Sequence, residues 1–267
     1  MEQKIIDLSF LELLISIATL LIPFLFFWIY KIRLIKSVII SVIRMIIQLT
    51  LVAIYLEWIF DKNNAWINSA WILVMLLVSV FTTIRRAELH WKNFAIPLFI
   101  SGFTTIFIID AFFLGYIIKL KYIFDAQYLI PISGMLLGNA LNNNIIGLNS
   151  YYKGLKEKEE LYQFLITNTG NKKLALQPFL ETAIRKALNP MIATISVLGL
   201  ISLPGMMTGQ ILGGVDPSIA IKYQFLIMIA IFVGCTMNLF LSIILANKNA
   251  FDSYDNFKSD EIVKEIN

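Results

Sequence analysis

The stretch Ser202-Leu203-Pro204-Gly205-Met206-Met207-Thr208-Gly209-Gln210-Ile211-Leu212-Gly213-Gly214 lies in an apolar run long enough to cross a bilayer. Proline lacks an amide donor and glycine adopts conformations that other residues avoid, so the sequence predicts a bend or break at Pro204-Gly205. Beyond it, Gly205, Gly209 and Gly213 recur every four residues, leaving one helix face without side chains. Such a face suits close helix approach in a membrane.

The whole chain supports that setting. Of its 267 residues 58% are hydrophobic and 15% charged, with a mean hydropathy of +0.76. A soluble domain carries about a quarter charged residues. The apolar residues form runs of twenty or more separated by short basic stretches, as in a multi-span helical membrane protein. The net charge of +4 therefore reads as topology-setting loop charge, with the bilayer rather than nucleic acid as the partner. Cys235 stands alone, so there is no disulfide framework, and the N-terminal apolar run lacks the flanks of a signal peptide.

Seven spans are predicted, at 8–30, 35–60, 65–84, 94–118, 126–148, 190–214 and 219–247. Sixteen of the 22 Lys and Arg residues fall on one side of this arrangement and five on the other, with Arg44 inside a span. The positive-inside rule then puts the N-terminus outside and the C-terminus in the cytoplasm. The fold class is an all-α integral membrane protein, one transmembrane domain over 1–267 in the cell membrane. A long cytoplasmic loop at 149–189 holds two helical patterns, the second ending near Leu188 before Asn189-Pro190. Leu176, Leu180, Ile184 and Leu188 share one face, and Glu181 and Arg185 form an i,i+4 pair on another. The polar tail at 251–267 is expected to be mobile or a short surface helix.

No catalytic constellation can be assembled, because His90 and Cys235 are the only residues of their kinds. No glycine is followed by lysine, so the chain shows no P-loop and no nucleotide site of its own. Charged groups inside spans cost about 2.5–3.5 kcal/mol when unpaired, which singles out Arg44, with Gln48 one turn on. These two, with Asn139 and Asn142, are candidates for a translocation path, and the neighbouring Asn143 and Asn144 for cavity lining; snorkelling of Arg44 and plain inter-helix bonding are the alternatives. Asp110 is a candidate for a path or pairing role. Gly134 and Gly138 form a second small-residue face. Met206 and Met207 are soft potential metal ligands, although methionine is more often a packing residue.

The residues Pro131-Ile-Ser-Gly134-Met135-Leu-Leu-Gly138-Asn139-Ala140, Ala183-Ile184-Arg185-Lys186-Ala187-Leu188, Leu203-Pro204-Gly205-Met206-Met207-Thr208-Gly209 and Asp216-Pro217-Ser218-Ile219-Ala220-Ile221-Lys222-Tyr223-Gln224, with Arg44 and Gln48-Leu49, give the chain its likeness to a known family. Over nearly its whole length it resembles FetB-type permeases, membrane subunits of ABC transporters associated with iron export in bacteria. Plant relatives are associated with aluminium tolerance. The resemblance implies a permease homodimer and a separate ATPase subunit that supplies ATP and Mg. It also implies docking through the loop, with Leu180, Glu181, Ile184, Arg185 and Leu188 as the coupling helix. Asp110 is not part of that pattern. An ion-gradient-driven transporter, or an ABC permease for a small organic or lipid substrate, is the alternative.

Overall fold

The computed structural model describes residues 9–264, and among them no strand is present. Lys4, Leu8 and the last three residues of the predicted tail lie outside the described residues. Helices α1 (Phe10–Ala18) and α2 (Leu21–Ile29) follow the first predicted span, α3 (Ile35–Lys62) the second and α4 (Ala65–Arg86) the third. Helix α5 (Trp91–Asp110) runs into a π-helical segment, Ala111–Ile117. Then come α6 (Ala126–Glu157), α7 (Glu159–Thr169), α8 (Lys172–Val197), α9 (Gly205–Leu212), α10 (Pro217–Ala250) and the short α11 (Ser259–Ile262).

Local chemistry sets these boundaries. Asn64, Asp125, Asn171 and Asp216 each accept a backbone N–H two residues on, at 2.8–3.0 Å, capping α4, α6, α8 and α10. Pro217 follows its cap in the first helical position, where no amide donor is required. At the other ends, Asn63 and Gly170 close α3 and α7 in left-handed conformations.

Among the described residues, five segments are long and apolar enough to cross a membrane: Phe10–Ile29, Ile35–Lys62, Ala65–Arg86, Trp91–Ile117 and Pro217–Ala250. Helix α6, at 32 residues, is long enough at about 1.5 Å per residue. It is absent from that group and carries Asn139, Asn142, Asn143 and Asn144. The predicted sixth span is not a continuous helix, as described below.

Helices α4, α5, α6 and α10 form the bundle, and α8 lies along α6. Glycines bring these helices together, but not the ones the sequence singles out. A Cβ on Gly147 of α6 would lie 2.6 Å from Leu239 of α10, and one on Gly102 of α5 2.5 Å from Leu76 of α4. Gly234 of α10 sits similarly against Leu136, at 3.1 Å. Gly205, Gly209 and Gly138 have nothing within 4 Å, Gly134 meets only the Met75 tip, and Gly213 meets only its own turn. The expected contact faces thus have almost no partner within one chain. Helices α1 and α2 bury none of their residues, and α3 buries only Ile59. The first two spans therefore stand away from the bundle, joined to it near the end of α3 by Tyr55, Leu56 and Ile59.

Of the two expectations for the tail, the structure shows a short helix, α11, and up to residue 264 the chain is fastened down rather than mobile. Phe251, Phe257, Ile262 and Val263 are buried in the same cluster as Tyr151, Tyr152 and Tyr162. Val263 bridges to Leu89, and Lys172 meets Asp255 at 2.7 Å while lying over the Phe251 ring. Aromatic residues spaced through a polar tail supply the anchors that polarity alone concealed.

One of these anchors titrates. The Tyr162 hydroxyl donates to the Asp255 carbonyl at 2.7 Å. Burial, aided by the Asp255 and Asp252 carboxylates, pushes it up to about 12. Its neutral form is favoured in the docked state, so its contribution is whole below about pH 10 and is lost as pH rises toward 12. A spin label at Ser253→Cys is expected to gain mobility across that window, with a smaller gain in a Tyr162→Phe background. Equal gains in both backgrounds would contradict the assignment.

Candidate functional site

Helix α8 passes through Pro178 and Pro190 without ending. This corrects the predicted stop at Leu188. Packing overrides the local preference against helix before proline. Ala175, Phe179, Ala183 and Ala187 share one cluster with Leu148, Tyr151 and Leu155 of α6. The helix ends at Val197, seven residues before Pro204. There Gly199 turns with φ 84, its N–H bonded to the Ser202 carbonyl at 3.0 Å. Pro204 then precedes α9 in extended conformation and opens it rather than bending it. The break expected at Pro204-Gly205 is thus an irregular segment at 198–204. From Pro190 on, α8 has eight residues left, and α9 has eight. Each half covers about 12 Å against a hydrocarbon core of about 30 Å, so neither crosses alone.

Between α6, the end of α8, the start of α9 and α10 lies a groove of about 520 Å³. Asn139, Asn142, Asn143, Thr194, Ser202 and Gln224 are its polar lining, and Pro204, Gly205 and Met206 form part of its wall. No charged side chain lines it. Asn139 donates to the Met135 carbonyl of its own helix at 2.8 Å, which leaves its carbonyl oxygen free of that bond. A second cavity of about 250 Å³ carries Gln127, Tyr128, Gln210 and Tyr223. Met206 and Ile227 line both spaces and stand at their junction.

Beside the groove, α5, α6 and α10 are tied by a buried polar network. Asn144 donates to Asn238 Oδ1 at 3.0 Å, as does Ser242 at 3.1 Å, and the hydroxyls of Ser101 and Ser242 lie 2.7 Å apart. Away from it, Ser133 of α6 donates to Asp110 Oδ2 of α5 at 2.6 Å. Asp110 is buried and does not line the groove, so it joins helices. The neighbouring π-helical segment begins at the next residue.

The structure therefore brings Asn139, Asn142, Pro204, Gly205 and Met206 to one place. Arg44 and Gln48 are exposed on α3, away from the groove, and Met207 is buried without lining it. No cluster of three or more His, Cys, Asp or Glu residues that could hold a metal exists among the described residues. Of the loop residues, Leu180 and Ile184 pack against the main cluster and Leu188 is buried. Glu181 and Arg185 face outward, paired at 2.9 Å. Thr194, Ser202 and Gln224 were not among the predicted site residues; polar groups within apolar runs were the signal available for them.

With this geometry, comparison with known proteins places the chain. Residues 10–251 match the uncharacterised protein family UPF0014. The chain belongs to the UPF0014 family. It is 30% identical over 227 residues to the UPF0014 membrane protein YjkA of Bacillus subtilis, covering 85% of this chain and 89% of that one. It is 30% identical over 224 residues to the probable iron export permease protein FetB of Escherichia coli, covering 84% and 85%. The Arabidopsis thaliana protein ALUMINUM SENSITIVE 3 is 31% identical over 190 residues, covering 70% and 67%. No solved structure matches the chain. Family and structure agree on a multi-pass membrane protein, and its relatives include a probable iron export permease protein.

Proposed function

We propose that this chain is the membrane-spanning subunit of an ABC transporter, exporting a metal with energy from a separate ATPase. The continuity of α8 carries the reading. It is 26 residues long, or about 39 Å, and joins the helical hairpin with α7 directly to the wall of the groove. A partner that moves the hairpin would move Thr194 and Leu198 at the other end. The irregular segment 198–204 would absorb the displacement, a hinge between packed elements.

In this reading α6 and the α8–α9 pair complete seven membrane passes, with the N-terminus outside and the hairpin in the cytoplasm of a cell membrane. The ATPase contributes the site for ATP and Mg. A second copy of the chain supplies the partner for the open glycine faces of Gly205, Gly209 and Gly138, and for Arg44 and Gln48 on α3. Iron enters as substrate from the name of the Escherichia coli relative. A neutral polar groove suits a cargo that keeps its own ligands better than a bare ion stripped for coordination.

Asn139 and Asn142 are exposed in the groove and support no other helix through the bonds described. Asn139→Leu together with Asn142→Leu is expected to lower ATP-driven transport by at least about tenfold, while ATPase binding is retained. Metal efflux from vesicles, measured beside pull-down of the ATPase, checks this. Unaltered transport in the double variant would remove the groove from the path.

A further inference from the structure

Helices α2 and α3 are joined by a tight turn that carries unbalanced positive charge. Lys31 takes a left-handed conformation there (φ 55), and the Ile32 N–H returns to the Phe27 carbonyl at 2.8 Å. The turn shapes an open cradle of about 670 Å³ whose lining includes Lys31, Arg33, Phe27, Trp28 and Ile35. No Asp or Glu occurs between Glu12 and Glu57. Neither Lys31 nor Arg33 has an ion-pair partner among the described residues. Helix α3 opens beside them without a side-chain cap, so its first N–H groups add to the positive potential. Trp28 is 73% exposed at this rim, a common place for tryptophan at a membrane–water boundary.

A second feature continues from the first into the apolar part of the chain. Between α1–α2 and α3 runs a slot of about 370 Å³, lined wholly by apolar residues that include Leu21, Phe24, Ile39 and Val42. Phe24 lies one helical turn from Phe27 and Ile39 one turn from Ile35, so slot and cradle share the same faces of both helices. Helices α1 and α2 bury none of their residues, so no other part of the described chain covers them. A cationic cradle opening onto an apolar slot matches a ligand with an anionic head and a hydrocarbon tail.

We infer that the α2–α3 turn binds one anionic phospholipid, its phosphate on Lys31 and Arg33 and an acyl chain in the slot. Positive charge alone would draw such lipids to every basic loop; the adjoining slot distinguishes this one. In the orientation proposed above, the turn faces the cytoplasm, where the leaflet carries anionic lipids. The lipid would fill the space between the first two spans. The site does not depend on ATP-driven transport, so the two readings fail separately.

The full chain in detergent is titrated with phosphatidylglycerol, with phosphatidylcholine of the same acyl chains, and with glycerol phosphate, and bound ligand is counted by native mass spectrometry. Phosphatidylglycerol is expected to be retained at least about tenfold more tightly than the other two. Lys31→Gln combined with Arg33→Gln should remove that preference; both side chains are exposed, so the melting temperature should hold. Val42→Trp fills the slot and keeps both charges, and is expected to weaken retention of both lipids. Arg85→Gln combined with Arg86→Gln, in a basic turn without such a slot, should change nothing. Equal retention of the two lipids, undiminished preference in the Lys31/Arg33 variant, or equal loss in the Arg85/Arg86 variant overturns the site. Glycerol phosphate binding as tightly as the lipid would also overturn it, by showing a site for a soluble anion. Retention of no lipid, as when a second copy covers the turn, has the same effect.

Discussion

Gly147→Ala is expected to destabilise the bundle by about 1–3 kcal/mol, the usual cost of overpacking a filled core. The added carbon would lie 2.6 and 2.7 Å from the two methyl carbons of Leu239 and 3.3 Å from its Cγ. Leu239 is fully buried, so changing its rotamer cannot clear all three atoms. Gly102→Ala is milder, because a single Leu76 methyl stands in the way at 2.5 Å while its Cγ is 3.8 Å off. Gly209→Leu, on an open face, leaves the melting temperature of the single chain unchanged. Thermal unfolding of the three variants in one detergent gives the order directly. A Gly147→Ala chain as stable as Gly209→Leu would show that α6 and α10 do not approach as described.

Loss of ATPase binding is the second large effect expected, from changes on the outer face of the α7–α8 hairpin. Phe164 on α7 is 63% exposed and Leu174 on α8 52%, and the Glu181–Arg185 pair of α8 also faces outward. Aromatic residues and arginine are enriched in interface hot spots. Phe164→Glu combined with Arg185→Glu is expected to cost at least about 2 kcal/mol of binding, or about thirtyfold in affinity. The melting temperature should hold, since neither side chain is buried. Leu188, although part of the same predicted helix, is unsuited to this test because it is buried and its loss would loosen the fold. Undiminished capture of the ATPase by the double variant would place the docking surface elsewhere.

The helical membrane class was legible from hydropathy alone, because long apolar runs admit few other structures. The hairpin was legible from its amphipathic spacing, and the structure closes α7 at Gly170 and opens α8 at Asn171. The exact break was not. Proline in Leu203-Pro204-Gly205 signals both the end of one helix and the start of another, and only the packing of α8 on α6 shows which applies. Glycine spacing alone did not pick out the contacts within the chain. A four-residue repeat marks Gly205, Gly209 and Gly213 as strongly as a true contact would, whereas Gly102, Gly147 and Gly234 stand singly in sequence and meet neighbours in space. The groove is legible only in part, since Asn139 and Asn142 share one helix while Thr194, Ser202 and Gln224 arrive from two other regions of the chain.

Transport by the purified components tests the central claim most directly. The chain is reconstituted in liposomes with and without the proposed P-loop ATPase, and iron movement is followed with and without ATP and Mg. The account predicts transport only when the ATPase and ATP with Mg are all present, and none from the chain alone under an imposed ion gradient. Equal, gradient-driven transport by the chain without the ATPase would contradict it.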